Sequence, residues 1–161
     1  MTSSRRWWWD NFDSNENFGE SKALRDAQIP LMRDISNAEI ELVVMQEFSR
    51  RGLEIPKFSL HPYGEGDPVT YVESVGTEEW CWVRVYEWPS DLSLNFDLRY
   101  ACSIESRGSD IFSAIVSLSI LKAFGNVIID DAQYVSEGGE MTLSEFSYAL
   151  EGKLSEMKSP E

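Results

Sequence analysis

From Trp80 to Ile104 the chain alternates between apolar and polar side chains. Cys81, Val83 and Val85 fall on one side of residues 80–88, with Trp80, Trp82, Arg84, Tyr86 and Trp88 on the other. Leu92, Leu94, Phe96, Leu98, Tyr100, Cys102 and Ile104 then share a face, opposed by Ser93, Asn95, Asp97, Arg99, Ser103 and Glu105. A period of two over this length predicts antiparallel strands, buried on one side and wet on the other. Pro89-Ser90-Asp91 between them is short and turn-forming, so the two strands are expected to form a hairpin.

Elsewhere the period is helical. Ser36-Asn37-Ala38-Glu39 is a capping box, and Ile40, Val43, Val44 and Phe48 follow on one stripe, widened by Leu42 and Met45. Arg50 and Arg51 suit the carboxyl end of the dipole and Gly52 the stop, which predicts a helix over about 37–51. Ser109 reads as an N-cap before Ile111, Phe112, Ile115, Val116, Leu118, Leu121 and Phe124, closed by Lys122 and Gly125. Only Ser113, Ser117 and Ser119 relieve that segment, so it is expected to lie centrally on the sheet. Thr142 and Glu145 form a second capping box, opening a helix to about Leu154 with Leu143, Phe146, Leu150 and Leu154 on one side.

The remaining segments are shorter. Leu24, Ala27, Ile29, Leu31 and Ile35 are interrupted by Pro30, which predicts a short helix ending before the proline. Short strands are expected at Leu53–Phe58, Val69–Val75 and Val127–Ile129, with turns at Gly64–Pro68, Asp130-Asp131 and Gly138-Gly139. The expected fold class is α+β: a mainly antiparallel sheet with helices packed on one face and the polar face exposed. Residues 1–20, with Trp7, Trp8, Trp9, Phe12 and Phe18, read as an irregular arm, laid on the domain's own surface or gripping a second protein. Residues 21–157 read as a single domain and 158–161 as a loose tail.

Charge changes the picture more than length does. The 161 residues carry 28 acidic and 14 basic side chains, a net −14 that repels nucleic acid and anionic lipid and draws in a basic partner. With 42% hydrophobic and 12% aromatic residues the chain has material for a core and does not read as disordered. No secretory signal or apolar run of membrane length is evident, so the expected location is the cytoplasm, with Cys81 and Cys102 as reduced, buried thiols.

Candidate chemistry is sparse. His61 is the one histidine, and with two cysteines the chain falls short of the four ligands of a structural zinc site. The glycines Gly64, Gly66 and Gly76 lack phosphate-loop spacing. Asp130-Asp131 could hold a magnesium ion or act as a base. Adjacent carboxylates on a strand point to opposite faces, however, which favours a strand-ending turn. No cofactor, metal or catalytic residue is expected. The row Trp80, Trp82, Arg84, Tyr86 and Trp88 is the feature best suited to binding, as aromatic residues anchor interfaces. Glu78, Glu79, Asp130, Asp131, Glu137 and Glu140 are expected to border it as an acidic rim. The alternative reading has the rings covered by the arm, with Arg84 snorkelling between them.

The run Ile111–Phe124, the turn Gly125-Asn126-Val127-Ile128-Ile129-Asp130-Asp131 and the overall charge resemble the immunity proteins that accompany bacterial polymorphic toxins. The resemblance is one of style and covers roughly the C-terminal third. It implies stoichiometric inhibition of a basic toxin domain, often a nuclease, by acidic and aromatic groups laid over its active site or a neighbouring face. The alternative is another protein-binding module: an adaptor, a chaperone or a phage-encoded inhibitor. An enzyme would need Asp130, Asp131 or the loop around His61 to converge in one pocket.

Overall fold

A computed structural model of the chain describes residues 25–62, 64, 68–87, 98–106 and 110–158. The Trp7-Trp8-Trp9 arm, Trp88, the first part of the strand expected over 92–104, the Ser109 cap and the tail beyond residue 158 lie outside the described residues.

Among the described residues seven strands, β1 (Arg25–Leu31), β2 (Lys57–His61), β3 (Val69–Glu73), β4 (Trp80–Glu87), β5 (Tyr100–Ser106), β6 (Val127–Ile129) and β7 (Glu140–Thr142), make one sheet. Its order is β2-β3-β4-β5-β1-β6-β7, and every pairing is antiparallel. The same described residues hold three helices: α1 (Asn37–Arg50), α2 (Asp110–Phe124) and α3 (Leu143–Lys158). The α+β class read from the sequence is therefore the one observed.

Register explains which side chains meet. Ile29 faces Cys102, Ala27 faces Ile104, and Ile104 in turn faces Val83. These residues, with Leu31, Val72 and Cys81, form the buried face of the sheet, and the apolar sides of the helices close over it. Phe112 through Leu121 of α2 are all buried, as expected of a helix apolar around most of its circumference. Each fully buried Ile or Leu there contributes about 1.5–3 kcal/mol of burial.

Both capping boxes form as their sequences predict. The Glu39 amide donates to Ser36 Oγ at 3.1 Å and the Ser36 amide to Glu39 Oε1 at 2.8 Å; Thr142 and Glu145 repeat the exchange at 2.8 and 3.1 Å. Gly52 follows the Arg51 C-cap with φ of 73°, a left-handed conformation that favours glycine.

Two expectations are corrected. The segment before Pro30 is a strand, β1, not a helix, and it lies inside the sheet between β5 and β6. Pro30 is tolerated because β1 pairs with β6 only at Gln28, leaving the proline beyond the end of that ladder, where a missing N–H costs nothing. The sheet face away from the helices is also not uniformly wet. Ala101, Ser103 and Glu105 of β5 are buried there, Glu105 to 1% exposure. Several polar groups on this side bond one another, which offsets the cost of their burial. Tyr86 Oη donates to Gln28 Oε1 at 2.8 Å, and Gln28 Nε2 donates to Asp26 Oδ2 at 3.2 Å. Ser103 Oγ lies 3.2 Å from Asp26 Oδ2 and 2.8 Å from Glu105 Oε2, within donating distance of both.

Smaller shifts concern edges. The strand expected at Leu53–Phe58 lies at Lys57–His61, and β7 is a three-residue addition that the Gly138-Gly139 turn feeds. Among the described residues no helix is long and apolar enough to cross a membrane.

Candidate functional site

Alternation on β4 sends Cys81 and Val83 to the helices and Trp80, Trp82, Arg84 and Tyr86 to the opposite face, all four half-buried. Pairing extends this row across the sheet. Tyr71 of β3 faces Trp82 and Ser59 of β2 faces Tyr71, so His61, two residues along, shares the face. The rings touch: His61 and Tyr71 centroids are 4.7 Å apart, Tyr71 and Trp80 5.8 Å, Tyr71 and Trp82 6.5 Å, Trp80 and Trp82 6.0 Å. Tilted and edge-on pairs at these separations add to simple burial. Further along β4 the Arg84 guanidinium lies over the Tyr86 ring at 4.8 Å, a cation–π contact.

Carboxylates stand at one end of this cluster. Glu73 pairs with Trp80 in register. Glu78 and Glu79 occupy the turn that leads into β4, where the Thr77 hydroxyl donates to Glu79 Oε1 at 3.2 Å and the Ser74 amide to the Glu79 carbonyl at 2.9 Å. Burial first, and the Glu73 charge second, push the Tyr71 phenol above its ordinary range, so it stays a neutral hydrogen-bonding group.

The expected acidic rim is divided. Glu78 and Glu79 lie beside the rings, but Asp130 and Asp131 follow β6, three strands from β4, and Glu137 and Glu140 lie before and at the start of β7, the fourth strand away. Those separations are about 14 and 19 Å at ordinary strand spacing. Asp131, Glu137 and Glu140 are exposed there, whereas Asp130 is fully buried and not part of any surface. Its carboxylate accepts from the Tyr134 amide at 2.9 Å, the Val135 amide at 3.1 Å and Ser136 Oγ at 3.0 Å. Asp130 thus folds the loop before β7 instead of facing a partner. Trp88 lies outside the described residues.

Sequence reading missed Tyr71, which joins His61 to the tryptophans. The signal was present in the alternation Val69, Tyr71, Glu73, but its meaning depends on which strand lies next to it. Catalytic groupings weighed from the sequence are dispersed. His61 lies on the opposite face of the sheet from Cys81 and Cys102, whose thiols are buried and pushed up by burial. His61 and Asp130 are separated by four intervening strands. Among the described residues no group of three His, Cys, Asp or Glu side chains is arranged to hold a metal ion. A cleft of about 430 Å³ lies between the helices, lined by Arg50, Leu118, Lys122, Leu143, Ser144, Ser147 and Tyr148. Compared with protein-family models, curated proteins and solved structures, the chain matches none.

Proposed function

We propose that this chain is a non-catalytic binding protein that seats its aromatic corner on a basic protein in the cytoplasm, acting as an immunity-type inhibitor of a cationic toxin domain. The observation that carries the reading is the joined cluster of His61, Tyr71, Trp80 and Trp82 with Glu73, Glu78 and Glu79 at its end. The half-buried rings of Tyr71, Trp80 and Trp82 offer apolar contact without needing to be ordered on binding, the property of anchor residues in interfaces. Carboxylates beside them, on a chain of net charge −14, speed the approach of a cation and turn away nucleic acid and anionic lipid. Inhibition follows from occupancy: a stoichiometric cap over a toxin's active face needs tight contact and no chemistry of its own.

The test is co-expression of this chain with the product of the adjacent reading frame, scored for growth and for capture at low and high salt. The expected result is rescue from toxicity and a complex that weakens as salt rises. Trp80→Ala or Tyr71→Ala is expected to cost about 2 kcal/mol of binding, near thirtyfold in Kd, with the fold intact. Binding that follows the rings but ignores salt would favour an adaptor or chaperone over a toxin inhibitor. Failure to bind a basic protein at either salt concentration would reject the proposal.

A further inference from the structure

Among the described residues the sheet ends at β2 and β7, and these two edges are built differently. At one end β7 is three residues long, with Glu140 and Thr142 exposed, and passes directly into α3 at Leu143. Short length and a covering helix are ordinary ways of closing an edge. At the other end β2 runs for five residues in unbroken register, from Lys57 opposite Glu73 to His61 opposite Val69, with no proline or bulge. Four of its five residues are exposed, and Leu60 stands 54% exposed. Leu53 and Ile55, which lead into it, are exposed apolar residues as well. Lys57 and the flanking Pro56 and Pro62 guard the two ends of β2, but Phe58, Ser59 and Leu60 between them carry none of the devices that keep an edge from pairing.

On the outer side of such a strand the N–H and C=O groups of alternate residues point away from the sheet, spaced to receive another strand about 4.8 Å off. Two occupants fit that geometry, a second copy of this chain or an extended segment of another protein. Charge decides between them. Pairing two copies edge to edge sets two chains of −14 side by side, and the Lys57 of each β2 offsets little more than the exposed Glu54 before it. A cationic segment meets the same field as attraction. An added strand would also continue the face that carries the rings. Its side chains on that face would lie next to Ser59 and His61, near Glu73, and those on the other face next to Phe58 and Leu60.

We propose that β2 is the docking edge for an extended, lysine- or arginine-bearing segment of the basic partner, which joins the sheet antiparallel or parallel to β2. The inference rests on the binding role proposed above and names how the partner is held: backbone pairing supplies contact, while alternate apolar and basic side chains supply selectivity.

Two probes separate the inference from the reading beneath it. The first is a peptide of about eight residues alternating lysine and valine, with a glutamate–valine counterpart, titrated against the full chain while amide exchange is followed. The lysine peptide is expected to slow exchange at Lys57–His61 and the glutamate peptide to leave it unchanged. Leu60→Lys, a charge of the kind native edges use, is expected to raise Kd at least about tenfold. Leu42→Lys, at an equally exposed site on α1, is expected to leave binding intact. Unchanged exchange in β2, or equal effects of the two lysine substitutions, would overturn the proposal. The second probe is the captured partner protein. Weakening by Trp80→Ala but not by Leu60→Lys discards edge pairing and keeps the aromatic corner; the reverse keeps edge pairing and discards the corner. A dimer of the chain alone that Leu60→Lys disperses would make β2 a self-pairing edge and overturn the assignment.

Discussion

Lys122 on α2 donates to Glu47 Oε1 on α1 at 2.8 Å, across 75 residues of sequence. Glu47 is 4% exposed, and its other oxygen accepts from Arg50 at 2.6 Å and Arg51 at 2.7 Å. Arg51 reaches on to Glu151 of α3 at 2.7 Å, so one carboxylate links all three helices. Removing the charge while keeping the shape leaves three cations around a neutral amide. Glu47→Gln is expected to lower unfolding free energy by about 2 kcal/mol, because the cations are partly solvated and recover some of the loss. Lys122→Met keeps both arginines and is expected to cost about 1 kcal/mol. Urea unfolding of the two variants measures the difference.

The same carboxylate predicts acid sensitivity. Burial alone pushes Glu47 up, but hydrogen bonds from Arg50, Lys122 and Arg51 outweigh it and hold the group at about 2. An unfolded glutamate titrates near 4.3. A folded value below the unfolded one gives a contribution that is present above about pH 4.3 and is lost as pH falls toward 2. The stability gap between the native chain and Glu47→Gln is therefore expected to be constant from pH 7 to 5 and to close between about pH 4.3 and 2. Thermal unfolding across that range would show it; a gap unchanged at pH 2.5 contradicts the assignment.

Asp130 organises the loop from Asp131 to Gly139. Beyond its three acceptor contacts, its amide donates to the Gly139 carbonyl at 2.8 Å, and the loop's Tyr134 Oη donates to the Ile104 carbonyl at 3.0 Å. Asp130→Ala strands two buried amides and is expected to cost about 2–4 kcal/mol. Amide exchange at Tyr134 and Val135 is expected to accelerate more than exchange in β4.

Gly125 marks a close approach between the end of α2 and β1. A Cβ at this position would stand 2.5 Å from Ile29 Cγ2, and Ile29 is fully buried and branched at Cβ. Gly125→Ala is expected to destabilise by about 1–3 kcal/mol, read as a lower urea midpoint at unchanged slope. Pairing it with Ile29→Val, which removes the Cδ1 methyl but keeps Cγ2, is expected to give no rescue.

Much of this architecture was legible because its causes are local. Ser36 with Glu39 and Thr142 with Glu145 satisfy orphan amides within one helical turn, so four letters suffice to place each helix start. The apolar girth of residues 111–124 and the two-residue period of 80–87 likewise follow from backbone geometry alone. Ala27, Ile29 and Leu31 carried a strand period too, but Pro30 reads locally as a helix stop. Its harmless position became visible only once β6 was seen to pair no further than Gln28.

What tertiary structure decided is adjacency. Insertion of β1 between β5 and β6 moves Asp131, Glu137 and Glu140 away from Trp80 and Trp82, dividing a rim that looked continuous along the chain. It also sets Asp26 and Gln28 beside Ser103, letting a polar stretch of β5 be buried. The pairing of β3 with β4 brings Tyr71 to the tryptophans. Periodicity says which way a side chain points, since that is set by its own backbone. Which strands lie side by side depends on the packing of the whole sheet against the helices, which no short window of sequence contains.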